Sequence, residues 1–284
     1  MKIIVARKRY MMWNKIRKWF KSAAGIISIF LLIISIVLII IACSPWGHFT
    51  ERTANNINNI LFGVTTNLLG IIVTVSFVQF FIDKQNYVVE KKDELKAILK
   101  YNKVLSIFIE QYTLYYRCIT TPDSEDKSTE YKLNIDFSFE DMCDMYSPNV
   151  YLHEKMFEPA ISLFYKCESH IREYMMTILQ NIQFKYYNEI RQILEQFIRE
   201  SFLLDVRENI MGNMNMMVEK EKLVDIIHKE MKDTTQDWVK IISKNKHANV
   251  MAPYVQLYLL LKEEAELLIK YEKEIHKLIL EENR

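Results

Sequence analysis

Two stretches of the chain contain no Asp, Glu, Lys or Arg, from Ser22 to Thr50 and from Ala54 to Ile82, while charge is spread through nearly everything outside them. The first holds the unbroken run Gly25-Ile26-Ile27-Ser28-Ile29-Phe30-Leu31-Leu32-Ile33-Ile34-Ser35-Ile36-Val37-Leu38-Ile39-Ile40-Ile41, and the second the run from Ile60 to Ile82. A bilayer core takes about 20 apolar residues at helical rise, and a core helix of a soluble protein rarely keeps more than about 14 unbroken. The pattern predicts a two-helix transmembrane hairpin over residues 22–82, with spans at 24–42 and 60–82 and an external loop at 44–59.

Beyond Ile82 the apolar residues recur at helical spacing. A long helix is predicted to continue from the second run through Asp83 to Cys118, with Val88, Leu95, Leu99, Leu105, Ile109 and Tyr112 along one face. Residues 120–130 are polar and acidic and read as a loop. Leu133, Ile135, Phe137 and Phe139 alternate with polar residues, which suggests an extended segment laid on helices, and Ser138 with Asp141 suggests a capping box opening a short helix to Met145. Further helices are predicted from Pro159 to Asn181, from Lys185 to Met211, from Met216 to Ser243 and from Pro253 to Glu282. In the last, Leu257, Leu261, Leu268, Tyr271, Ile275 and Leu278 follow a 4,3 spacing that Glu264 interrupts, as in a bundle helix or a short coiled coil.

Glycine supports the helical reading. Gly212 is the single glycine after Gly70, and hairpins usually need glycine at positive φ, so a β-rich domain is not expected. The expected fold class is all-α, with residues 83–284 forming a cytoplasmic bundle of about five helices.

Charge orients the hairpin. Residues 1–21 hold Lys2, Arg7, Lys8, Arg9, Lys15, Arg17, Lys18 and Lys21 with no acid, whereas the loop between the runs holds only Glu51 and Arg52. The excess of positive residues on one side predicts both termini in the cytoplasm. Trp13, Trp19 and Phe20 on the inner side and Trp46 and Phe49 on the outer side suit the two interfacial belts. Arg7, Lys8, Arg9, Lys15, Arg17, Lys18 and Lys21 are candidate contacts to an anionic inner leaflet, at about 1 kcal/mol each. Residues 83–284 carry 28 basic against 35 acidic residues, a net −7, which argues against nucleic acid as a partner. Ile40-Ile41-Ala42-Cys43 also has the form of a lipoprotein signal, but the 21-residue basic lead-in and the second apolar run argue against it.

Catalytic spacings are missing: there is no G-x-x-x-x-G-K, G-x-G-x-x-G, G-x-S-x-G or H-E-x-x-H in the chain. Neither an enzyme activity nor a cofactor nor a metal site is expected. The nearest approach to a site is Asp225-x-x-His228 with Glu221 one turn earlier; His170 with Glu173 and Glu272 with His276 read as surface pairs. Cys43, Cys118, Cys143 and Cys167 lack paired spacing. Met211, Met214, Met216 and Met217 around Gly212 read as an apolar helix junction.

In the second span Thr66, Gly70 and Thr74 recur every four residues, with Asn67 beside them, the small-residue stripe that lets membrane helices approach closely. Its partner is either the first span, through Ala24, Ser28 or Ser35, or a second copy of the chain. The segment Asn67-Leu68-Leu69-Gly70-Ile71-Ile72-Val73-Thr74-Val75 through Asp83 resembles a stretch of uncharacterised bacterial two-pass membrane proteins, although Gln79, Phe80 and Phe81 stand where those have aliphatic residues. The resemblance covers less than a tenth of the chain and implies a bacterial inner-membrane setting without implying an activity. The chain is open to three functional readings: a membrane-anchored interaction or signalling module, an oligomeric two-pass effector or channel, and an enzyme with an unfamiliar helical active site.

Overall fold

In the computed structural model of the chain, residues 23–44, 50–122, 132–147, 158–244 and 249–282 are described. Among them the fold is all-helical: α1 Ala23–Ala42, α2 Glu51–Thr120, α3 Ala160–Asn181, α4 Asn188–Leu203, α5 Arg207–Asn213, α6 Leu223–Lys232, α7 Trp238–Lys244 and α8 Ala252–Glu282. One 3-10 turn (Glu140–Met142) and one antiparallel pair, β1 Met217–Val218 with β2 Glu221–Lys222, complete it. The chain divides into two compact units, Met1–Glu90 and Lys91–Arg284, and the boundary falls inside α2.

In the first unit, α1 and the first part of α2 are long and apolar enough to cross a membrane, with windows of mean hydropathy 3.3 and 2.0. Only 22% and 6% of those windows are buried, far from the burial of a soluble core helix. Four hydroxyls inside them bond to their own helix: Ser35 donates to Leu31 O, Thr65 to Leu61 O, Thr66 to Phe62 O and Thr74 to Gly70 O, all at 2.8–2.9 Å. Hydroxyls bonded into their own helix need no water, which suits a span. The helix begins at Glu51, so residues 51–59, expected to be loop, form its first turns. Ala54 N–H bonds Thr50 O at 3.0 Å, and Glu51 puts an acid at the positive end of the dipole.

The core of the second unit is built on the later part of α2, where Leu95, Ile98, Leu105, Ile109, Tyr112, Tyr116 and Ile119 lie on one buried face. α4 packs on α8 and on α3, while α5 and α7 lean on α8. The apolar stripe of α8 is therefore bundle core. Glu94 ties α2 to the entry of α4, its carboxylate accepting the backbone N–H groups of Lys185, Tyr186 and Tyr187 at 2.9–3.0 Å. The alternating segment forms neither helix nor strand; its Phe137 and Phe139 are buried, and Phe139 already has helical dihedrals.

Three expected helices differ. The predicted helix 185–211 starts at Asn188 and is split between α4 and α5, because Asp205 Oδ1 accepts the N–H of Arg207 at 3.0 Å and so opens a new helix. The predicted helix 216–243 becomes the β-hairpin, α6 and α7. There Glu219 takes the positive φ of 58° usually left to glycine, Asp233 accepts from Thr235 N–H, and Asp237 caps α7 through Lys240 N–H. Near Ser138 the carboxylate of Asp141 does accept the Ser138 N–H at 2.7 Å, but the helix it opens is a single 3-10 turn.

Candidate functional site

Two glutamates sit on the apolar stripes of helices. On α3 the buried positions Ile161, Phe164, Glu168, Ile171, Met175 and Ile178 keep a helical period, and on α8 Leu257, Leu261, Glu264, Leu268, Tyr271 and Ile275 do the same. Both stripes face the core, so both carboxyls are carried inside: Glu168 is 1% exposed and Glu264 0%. Burying a charge without a partner costs several kcal/mol, so each must be compensated.

Glu168 is compensated by cations. Arg207 Nη2 reaches its Oε2 at 2.6 Å, Arg172 Nη1 lies 3.4 Å from its Oε1, and the Ser201 hydroxyl donates to the same Oε1. Arg172 also donates to Ser201 Oγ at 3.0 Å and lies 3.8 Å from Asp205, and Arg207 donates to Ser169 Oγ at 2.7 Å. The two guanidinium groups are further held over aromatic rings, Arg172 over Phe202 and Arg207 over Tyr165. Among the described residues Glu264 is bonded by the Tyr112 hydroxyl alone, donating to Oε2 at 2.7 Å, and its Oε1 has no partner.

Of the two carboxyls, Glu264 has the surroundings that favour the protonated form more strongly. Burial first, and then the charge of Glu168, hold the Glu264 carboxyl well above the usual carboxylate range, against the Tyr112 hydrogen bond and the two arginines. Burial raises Glu168 as well, but its hydrogen bond from Ser201 and the charges of Arg172 and Arg207 oppose that. With Glu264 neutral, Glu168 and Asp205 balance Arg172 and Arg207. A carboxyl with 0% exposure meets no substrate in this conformation.

The second cluster surrounds His228. Asp225 is exposed, and His228 turns instead to the segment after the 3-10 turn: its Nδ1 lies 3.0 Å from Cys143 O and 3.3 Å from Asp144 Oδ1. A sulfur, a carboxylate oxygen and an imidazole nitrogen of Cys143, Asp144 and His228 all lie within 4.8 Å of one another. Burial pushes the Cys143 thiol up to about 11. Glu221, the third member of the expected set, pairs with Lys229. The His170 ring lies 6.1 Å from that of Phe108, and His170 and Glu173 line one open pocket on α3.

The stripe Thr66, Asn67, Gly70 and Thr74 is exposed within the single chain, and a Cβ added at Gly70 meets nothing within 4 Å. Asn67, Gly70 and Thr74 line a shallow groove with Ile71 and Val75. On α1 the expected Ser28 and Ser35 are buried, with Ala42; on α2 the buried small residue is Thr65, the neighbour of the expected Thr66. Arg7, Lys8, Arg9, Lys15, Arg17, Lys18 and Lys21, like Trp13, Trp19, Phe20, Trp46 and Phe49, lie outside the described residues.

No protein-family model, curated protein or solved structure matches this chain.

Motif spacing misses the glutamate pair because a motif lies within one segment. The signal the sequence does carry is a charged residue at a stripe position: Glu264 interrupts the 4,3 spacing of the last helix, and Glu168 interrupts α3 in the same way. The Cys143 and Asp144 approach to His228 leaves no such signal, since 85 residues separate the two segments.

Proposed function

We propose that the protein is a membrane-anchored helical interaction or signalling module of the inner membrane: α1 and the first part of α2 span the bilayer as a hairpin, both termini lie in the cytoplasm, and the helical bundle from residue 83 binds a partner protein there. The observation that carries this reading is α2 itself. One unbroken helix of 70 residues supplies first an uncovered apolar window and then, from Leu95 to Ile119, a core stripe of the domain. Residues 1–21 hold the inner leaflet electrostatically.

The natural cysteines test the topology. A membrane-impermeant maleimide applied to intact cells is expected to label Cys43, which is exposed at the end of α1, and to spare Cys118, Cys143 and Cys167, which are buried. Protection of Cys43 in intact cells together with labelling in inverted vesicles would reverse the orientation.

A second reading is favoured by the open groove at Gly70: the chain assembles through Thr66, Gly70 and Thr74 as an oligomeric effector or channel. Light scattering of the full chain in mild detergent separates the two. The anchor reading expects a protein mass near the 34.0 kDa of one chain. A defined oligomer that Gly70→Leu returns to monomer would replace it with the assembly reading; leucine has room there within the single chain.

A further inference from the structure

We propose that Cys143, Asp144 and His228 form a binding site for a zinc-class divalent metal ion that clamps the 3-10 turn to α6. This goes beyond the anchoring role and does not depend on it.

The donor set is a thiol, a carboxylate and an imidazole, the combination that borderline ions such as Zn2+ take in tetrahedral sites with one position left to water. The three ligand atoms lie within 4.8 Å of one another, and bonds of about 2.0–2.3 Å set neighbouring donors roughly 3.5 Å apart, so a shift on the order of 1 Å closes the shell. The backbone on which the first two donors sit is held in place: Cys143 N–H bonds Glu140 O and Met145 N–H bonds Met142 O, both at 3.1 Å. The 3-10 turn packs directly on α6, which brings His228.

His228 Nδ1 is the second observation. It faces two acceptors at once, Cys143 O at 3.0 Å and Asp144 Oδ1 at 3.3 Å, yet it carries at most one proton to give them. A cation placed there engages the carboxylate and the ring together. Among the described residues, Asp141 and Asp144 both lie close enough to Cys143 to act on it and Lys232 opposes them, so the field of this group favours a dication. Cys143 is buried while Asp144 and His228 are half-exposed, which leaves an entry path.

Binding balances simply. The Cys143 thiol gives its proton to solvent, its sulfur lone pair goes to the metal, and the imidazole's one proton moves through solvent from Nδ1 to Nε2 so that the Nδ1 lone pair coordinates. No electron changes hands.

The test uses the purified full-length chain in detergent, stripped with a chelator and titrated with Co2+. The expected result is a near-ultraviolet thiolate-to-cobalt charge-transfer band with strong visible bands of a four-coordinate ion, bleached by Zn2+. Cys143→Ser should lose the charge-transfer band, and His228→Gln should weaken binding tenfold or more. Cys43→Ser, Cys118→Ser and Cys167→Ser should keep both. No charge-transfer band at saturating Co2+, or a band that survives in Cys143→Ser, overturns the site. If Cys143→Ser fails to fold, as judged by its helical circular dichroism, unchanged Co2+ affinity in folded His228→Gln overturns it equally.

Discussion

Glu168→Leu is expected to cost the helical domain about 3–5 kcal/mol, read as a lowered thermal midpoint in the circular dichroism of the detergent-solubilised chain. The loss does not come from missing attraction alone. Leucine fills the volume, but the Arg207 and Arg172 groups that stood 2.6 and 3.4 Å from the carboxylate are left facing an apolar neighbour, and Ser201 loses its acceptor. Arg172 is 11% exposed in its side chain, so it has little water to turn to. Removing all three charges together should behave differently. Glu168→Leu combined with Arg172→Met and Arg207→Met is expected to return most of the stability, since a buried ion-pair network replaced whole by apolar groups is often neutral or better. A single mutant indistinguishable from wild type would mean that the network is solvated and contributes nothing.

Glu264 gives the domain a pH dependence of unusual sign for a carboxyl. Its folded-state affinity for a proton is raised above the ordinary value of 4.5, by burial first and by Glu168 second, with Tyr112, Arg172 and Arg207 opposing. Below that ordinary value both the folded and unfolded chains hold the proton, and stability from this group is complete. As pH rises beyond it, the unfolded chain releases the proton while the folded chain keeps it, so stability falls until the folded group also titrates. The decline contributed by one proton is at most about 1.4 kcal/mol per pH unit. Glu264→Gln keeps an acceptor for the Tyr112 hydroxyl and removes the titration. The variant should match wild type in acid, flatten the decline above it, and be the more stable protein at neutral pH. The difference between the two denaturation curves across the pH series isolates Glu264 and its coupling to Glu168, since carboxyls away from this pair contribute equally to both; a pH-independent difference would place the proton elsewhere.

Both effects arise from residues that the apolar pattern marks as exceptions. A glutamate at a stripe position is visible in one dimension, and Glu264 is visible as a break in the 4,3 spacing of the last helix. What it means depends on what faces it. Tyr112 lies 152 residues away in sequence and reaches Glu264 at 2.7 Å, whereas the Ser201, Arg172 and Arg207 groups collect on Glu168 instead. Nothing in either helix alone assigns the cations to one glutamate and the proton to the other.

The helix boundaries divide along the same line. The starts of α3 and α8 and their ends at Asn181 and Glu282 fall within a residue of where period and proline put them. The breaks at Asp205, Asp233 and Asp237 do not, because a short carboxylate can cap a new helix as readily as it can point to solvent from an old one, and packing chooses between the two. The same holds for His228: helical spacing offered it Asp225, and the folded chain gave it Cys143 and Asp144.

By itself, then, the sequence determined that this chain is helical and that two of its segments are long and apolar enough for a bilayer. Those properties depend on run length, on period and on the scarcity of glycine, which are sums over neighbours along the chain. Only the tertiary structure decided which buried carboxyl the cations reach, where the later helices break and what surrounds His228. These depend on groups from distant segments competing for the same proton, cation or hydrogen bond, and that competition is settled only once the helices have packed.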